Sequence, residues 1–222
     1  VVRPDLGELA RPVVLTRVDG HAVWLNAAAM ARAKAFFDAP PAAPGMRIEM
    51  LAGVATGVVV DPVQALWDLV TPAPTDVELT RWIAAGLAAC AQVGLVEVHD
   101  MATSPAELAV MQRLAAAGPL PVRVVVYLDD SDASFAWLAA HPGGAPQMLG
   151  PDLHVAGLKL FADGALGSRG AALKEDYSDM HGHRGLPTGP AALVEKARRA
   201  AALGYPVAIH AIGDLGNEHA LA

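Results

Sequence analysis

Two residues carry most of the chemical promise of this sequence. Lys159 sits inside an otherwise apolar run, Gly157-Leu158-Lys159-Leu160-Phe161, and His210 closes a second one, Pro206-Val207-Ala208-Ile209-His210. Burial disfavours the ammonium form and lowers a lysine's pKa. A neutral amine attacks carbonyls to give a Schiff base, or takes up carbon dioxide to give a carbamate that ligates metal. The simpler alternative is a rim lysine paired with an acid such as Asp163. A neutral imidazole at the end of a strand binds zinc or another borderline metal; the simpler alternative there is a hydrogen-bonded core histidine. Asp214, four residues on, either orients His210 or caps the helix that follows, and capping asks less of it.

Three further groups attach to these two. His99 and Asp100 end the run Gly94-Leu95-Val96-Glu97-Val98-His99. The glycine-rich run Asp163-Gly164-Ala165-Leu166-Gly167-Ser168-Arg169-Gly170 lacks the Gly-Lys-Ser/Thr ending of a P-loop and the spacing of a dinucleotide fingerprint. It reads as a tight loop that lets backbone approach a ligand, with Arg169 offered to a carboxylate or carbonyl oxygen. Arg17-Val18-Asp19-Gly20-His21 crowds three ionisable side chains around one glycine, either as a substrate-binding group or as a surface turn with a salt bridge. His141, His154, His181, His183 and His219 have no comparable placement; His181-Gly182-His183 lies in a loop.

The elements that must position these residues alternate. Thr75-Asp76-Val77-Glu78 is a capping box opening a helix through about Val93. A strand follows at 94–99, and Ser104-Pro105-Ala106-Glu107 opens a second helix through Ala117 with Gly118 as its stop. Val122 to Leu128 reads as a strand, Ala133 to Ala140 as a short helix, and Val155 to Phe161 as a strand. A long irregular stretch covers 162–188, a helix returns over Ala191 to Leu203, and the last strand is Pro206 to His210. Continuous apolar runs with helical crossovers imply a parallel sheet covered by helices. Upstream, Val13 to Val18 and His21 to Trp24 read as extended, Asn26 to Phe36 as helical, 39–44 as a Pro-rich connector, and Met46 to Val60 as a hairpin punctuated by Gly53 and Gly57. The natural boundary falls near residue 74, with an excursion over 1–74 and an α/β body over 75–222.

The 222 residues carry a net charge of -7 and no Lys/Arg run, which argues against nucleic acid as the partner and for a small molecule. With 54% hydrophobic but only 5% aromatic residues, the core is built from Ala, Val and Leu. Cys90 is the one cysteine; it reads as core and fits a reducing, cytoplasmic setting. No apolar run reaches the roughly 20 residues of a membrane span. The chain opens on Val1 rather than Met and stops in a helical stretch at Ala222, so an internal portion of a longer protein is expected.

Four stretches resemble amidohydrolase family 3, the group that includes N-substituted formamide deformylase-like enzymes: Leu15 to Asn26, Gly94 to Asp100, Leu158 to Leu173 with Tyr177-Ser178-Asp179, and His210 to Asp214. The run Lys159 to Arg169 is the most specific. The resemblance implies an α/β fold that is part of a distorted (β/α)8 TIM-type barrel, roughly strands two to five plus an excursion before strand two. It implies one or two divalent ions, zinc by preference, at the carboxyl ends of the strands. Lys159 would be the fourth-strand ligand, open to carboxylation, and His210 the fifth-strand ligand; Arg17, Asp19, His21, His99, Asp163 and Arg169 would line the substrate side.

The implied reaction is hydrolysis of carbon-nitrogen bonds other than peptide bonds, through a metal-activated water that expels an amine. The first-strand His-x-His, the sixth-strand histidine and the final aspartate of the pattern are absent, so this chain would hold half a site. Two alternatives remain: a metal-free Schiff-base lyase or aldolase using Lys159, and an inert fragment or interaction module. Oligomers are possible.

Overall fold

Alternation of apolar residues builds the first sheet. In the computed structural model, which describes residues 9–43 and 45–222, β1 (Val14–Thr16), β2 (Ala22–Leu25), β3 (Arg47–Leu51) and β4 (Val54–Val60) form an antiparallel sheet in the order β1-β2-β4-β3. Val23, Leu25 and Val59 turn to one side and are buried. They pack against Ala29 of α1 (Ala27–Arg32), Phe36 of α2 (Lys34–Asp38), and Leu66 and Val70 of α3 (Gln64–Val70). Asn26 caps α1, its side chain accepting from Ala29 N at 2.9 Å, and so ends β2 and starts the helix in one residue. The expected hairpin forms, joined by Ala52 and Gly53 with φ of 48° and 78°, the doubly left-handed pair that a two-residue turn needs to match strand twist. Helix α3 has no side-chain cap, so no capping residue marks its start. In the Pro-rich connector, Ala39 to Ala43 are neither helix nor strand; Pro44 lies outside the described residues.

The second sheet is parallel at its centre. α4 (Asp76–Gln92) leads to β5 (Glu97–Thr103), α5 (Pro105–Ala117) to β6 (Arg123–Leu128), and α6 (Asp132–Ala140) through the two-residue β7 (Gln147–Met148) to β8 (Leu153–Phe161). After residues 162–188 come α7 (Pro190–Ala202), β9 (Val207–His210) and α8 (Asp214–Leu221). β5, β6, β8 and β9 pair in parallel in that order, and β7 adds antiparallel to the start of β8. Both expected capping boxes are present, at Thr75/Glu78 and Ser104/Glu107. The sequence reading missed β7, which lies in the Pro/Gly loop. It also ended β5 too early: pairing continues past His99 to Thr103 through an irregularity where Ala102 adopts φ 69°.

One core serves all of these helices. Leu87, Leu108, Met111, Phe135, Leu138, Leu193 and Ala200 pack on Val124, Val126, Leu128, Leu153, Val155, Leu158 and Leu160, with Cys90 partly buried against the same cluster. Along β8 the buried face changes parity, from Leu153 and Val155 to Leu158 and Leu160, because the register with β6 slips between the pairs Val126↔Val155 and Tyr127↔Gly157. Side chains alternate with period two, so a one-residue slip exchanges the faces. Without it Lys159 would point into the helix-covered core. Gly157 makes the slip possible, since a Cβ there would sit 3.1 Å from Tyr127 Cε1 and closer still to the Pro206 carbonyl.

The chain divides into two compact units, Val1–Ala73 with Gly164–Pro187, and Pro74–Asp163 with Thr188–Ala222. From Gly164 onward the glycine-rich run therefore belongs with the antiparallel sheet, while Asp163 stays with the strand that precedes it. Among the described residues no helix is long and apolar enough to cross a membrane.

Candidate functional site

Lys159 and His210 emerge on the same face of the parallel sheet, the face opposite the helices. In the β8–β9 register Lys159 pairs with Ala208 and Phe161 with His210, so the two candidates are diagonal neighbours across adjacent strands. Phe161 joins them. Its ring centroid is 4.9 Å from Lys159 Nζ and 5.6 Å from the His210 ring. Burial pushes the Lys159 amine below the ordinary lysine range, while the face of the Phe161 ring favours the ammonium and offsets part of that. Phe161 was not singled out from the sequence, although its place two residues beyond Lys159 in a strand puts it on the same face.

Asp163 supports this face from behind. Its side chain has 0% exposure, and its carboxylate accepts from Ile212 N at 3.0 Å and Gly213 N at 2.7 Å. Oδ1 also lies 3.6 Å from His210 Nε2. Gly213 is the N-cap of α8 and makes no side-chain cap of its own; Asp163, two residues beyond β8, binds the N–H of that cap residue and of the residue before it, with its negative charge near the positive end of the helix. Gly216 completes the seat, since a Cβ there would lie 2.5 Å from Asp163 Oδ2. One sequence expectation changes here: the substrate contact expected of Asp163 has no exposed surface to act through. Asp214 sits in the first turn of α8 and accepts from Leu215 N of that turn at 3.0 Å.

His99 does not join Lys159 and His210. It pairs with Val125, which pairs with His154, so it lies level with a residue five positions before Lys159, roughly 15 Å back along the strands at ~3.3 Å per residue. There it is 49% exposed, with Nε2 3.2 Å from Glu97 Oε1, and Arg123 Nη1 donates to the other oxygen of Glu97 at 2.6 Å. Those partners, Arg123 first, hold the Glu97 carboxyl below the usual range.

In the other unit the loop between β1 and β2 carries Arg17, Asp19 and His21. Asp19 Oδ1 accepts from Arg17 Nε at 2.7 Å and from His21 N at 3.0 Å, and these contacts keep the Asp19 carboxyl low and the guanidinium protonated. The salt-bridged turn and the clustered group are thus the same object. Arg169, with φ 63°, gives both arms of its fork to Asp179, Nε at 3.1 Å and Nη2 at 2.9 Å, and its carbonyl accepts from His183 Nε2 at 2.8 Å. Its expected freedom to meet a substrate oxygen is taken up by Asp179. His219 and His141 are held by carbonyls, Nδ1 donating to Thr188 O at 3.0 Å and to Trp137 O at 2.8 Å respectively.

The donor chemistry of Lys159 and His210 suits a borderline divalent ion, an imidazole nitrogen beside an amine whose charged form is disfavoured. Among the described residues no three His, Cys, Asp or Glu side chains cluster as a ligand set. What this chain offers is two donors on one sheet face.

With this geometry in hand, the sequence of residues 2–222 matches the Amidohydrolase family. The chain belongs to that family. A curated relative, "Putative amidohydrolase YtcJ" of Bacillus subtilis, is 30% identical over 217 residues, covering 95% of this chain and 40% of the relative. "Protein LONG AFTER FAR-RED 3" of Arabidopsis thaliana is 42% identical over 67 residues, 30% of this chain and 12% of that protein. Two crystal structures of uncharacterised metal-dependent hydrolases resemble the fold. That from Pyrococcus horikoshii OT3 has a TM-score of 0.71 and 25% identity over 95% of this chain and 41% of its own; that from Pyrococcus furiosus has 0.70 and 27% over 96% and 43%. The chain therefore spans about two fifths of the length of YtcJ and of each Pyrococcus hydrolase.

Proposed function

We propose that this chain supplies part of the active centre of a divalent-metal-dependent hydrolase acting on carbon-nitrogen bonds other than peptide bonds, with amide- or formamide-type small molecules as substrates. The observation that carries the reading is the shared face of Lys159 and His210 at the carboxyl ends of neighbouring parallel strands, where barrel enzymes keep their reactive groups. The likeness to the two Pyrococcus metal-dependent hydrolases supports it. The parallel sheet would be a segment of a (β/α)8 barrel, roughly strands two to five, in a formamide deformylase-like member of the family with a reducing, cytoplasmic setting.

Lys159, carboxylated, and His210 would hold the ion, zinc by preference. When bound, it supplies Lewis acidity for hydrolysis. The chain's own residues do the rest of the work on this face. Burial keeps the Lys159 amine available for carboxylation, Phe161 walls the two ligands with an apolar ring, and Asp163 fixes the turn after His210. In the other compact unit, Arg17, Asp19 and His21 would be the substrate-binding group, with Asp19 accepting from both of the others.

Metal analysis of the longer protein tests this directly. Lys159→Ala and His210→Ala should each lower bound zinc at least tenfold, and growth with labelled bicarbonate should place a carbamate carbon signal on Lys159. Undiminished metal in both variants would sink the assignment. The lowered pKa of Lys159 equally suits a Schiff base; borohydride trapping in the presence of a carbonyl compound separates the two, because a carbamate forms no reducible imine.

A further inference from the structure

The pairing of β2 with β4 runs one step beyond Ala22↔Val60, for Asp61 N donates to His21 O at 2.9 Å. The side chains of this extra pair also meet, His21 Nδ1 lying 2.8 Å from Asp61 Oδ1. An ionised carboxylate only accepts, so the hydrogen of that bond belongs to Nδ1. In the neutral ring the other nitrogen, Nε2, is then a bare acceptor.

Strand pairing alone does not account for two features of Asp61. Its backbone is left-handed, with φ 44°, and its Oδ2 is buried with no hydrogen-bond partner among the described residues. Both are unfavourable, and such departures persist where the surroundings impose them, often at functional positions. The partner they serve is held from two sides. Asp19 Oδ1 accepts from His21 N at 3.0 Å, and the loop is closed by Gly20 N to Arg17 O and Arg17 N to Ala22 O, both at 2.8 Å. Backbone, ring and tautomer of His21 are thereby fixed, yet its side chain keeps 38% of its surface.

We propose that Asp61 is a positioning residue that holds His21 as the Nδ1–H tautomer, so that Nε2 accepts a hydrogen bond from the N–H of an amide-type substrate. The inference rests on the reading of Arg17, Asp19 and His21 as the substrate side. It uses no metal.

The test is nitrogen NMR of the histidine rings in the metal-free, labelled full chain, at a pH where imidazole is neutral. His21 in the wild type should favour Nδ1–H by at least tenfold. Asp61→Asn, whose amide can offer either an oxygen or an NH2 group, should reduce the preference. Asp61→Gly, which keeps the left-handed backbone without the carboxylate, should abolish it in favour of the Nε2–H form of a free side chain. Because Asp61→Gly removes a left-handed non-glycine backbone and a buried Oδ2 without a partner together with the His21 contact, its folding constant from urea titration should stay within tenfold of wild type.

N-methylacetamide serves as the probe and N,N-dimethylacetamide, which lacks an N–H, as its control. The first should shift His21 Nε2 at least threefold more than the second in the wild type, and the difference should vanish in Asp61→Gly. An unchanged tautomer in Asp61→Gly, a greater than tenfold loss of folding constant, or an equal response to the two amides would each overturn the proposal. Zinc content of Lys159→Ala reports on the metal reading separately, since no metal is present in the NMR measurement.

Discussion

Replacing Asp163 by alanine should be among the most damaging single changes on the parallel sheet. The carboxylate is fully buried and accepts two backbone hydrogen bonds, from Gly213 N at 2.7 Å and Ile212 N at 3.0 Å. A hydrogen bond to a charged group contributes about 1.5–3 kcal/mol, and an orphaned buried donor costs about 1–3 kcal/mol. Gly213 is buried while Ile212 is about half exposed, so the full cost falls on the first donor and part of it on the second. Loss of negative charge at the start of α8 adds about 0.3–1 kcal/mol. Against this stands recovery of the carboxylate's own desolvation, leaving a net loss of about 3 kcal/mol. Asp163→Asn keeps one acceptor but turns an NH2 group toward a donor, and should cost about 2 kcal/mol. Urea unfolding measures both, and amide exchange at Ile212 and Gly213 should quicken in step. An Asp163→Ala protein within 1 kcal/mol of wild type, with those amides still protected, would refute this role for Asp163.

Other perturbations follow from the same geometry. Gly157→Val should disrupt the β8 register and lower the unfolding midpoint sharply, by about 3 kcal/mol or more, because its Cβ would have to share space with Tyr127 and the Pro206 carbonyl; a soluble variant with wild-type stability would contradict the bulge. Leu160→Ala, at 0% exposure in the helix-side core, should cost about 2–5 kcal/mol in the same assay. Ser104→Ala removes one half of a capping box and should cost about 1 kcal/mol, seen as earlier loss of helical circular dichroism. For Lys159 the sign runs through proton linkage: the folded pKa is lowered, so the unfolded chain binds more protons between the two pKa values and stability rises with pH across that window. Lys159→Met should therefore stabilise the metal-free, carbonate-free protein at pH 7, and the advantage should shrink as pH rises through that window and be gone above the ordinary lysine range.

Local signals made much of the framework legible. The boxes at Thr75 and Ser104 announce their helices within four residues, and apolar strands of β-branched residues between glycines and prolines announce β6, β8 and β9. The run around Lys159 also marks its own chemistry, a cationic residue in an apolar strand. What stayed hidden acts over distance. Asp163 holds the turn that starts a helix about fifty residues later, and Asp61 reaches His21 across forty; no periodicity links such positions. The face on which Lys159 emerges depends on a register slip against β6, which a period-two reading of β8 alone would assign to the wrong side. His99 looked like a strand-end residue because its strand was read as ending there, whereas pairing through Ala102 carries β5 on to Thr103.

The unit built around the antiparallel sheet is assembled from two separated stretches, Val1–Ala73 and Gly164–Pro187. A ribosome adding roughly 5–20 residues per second finishes the first stretch and then makes about 90 residues of the other unit before the second stretch appears, a wait on the order of 5–20 s. During that interval β1 to β4 and their helices exist without the segment that carries Arg169 and Asp179. Cutting the gene near residue 74 would strand the sheet permanently in that state: the first piece would lack Gly164–Pro187, and the second would hold its own unit complete but carry that segment without its partner sheet.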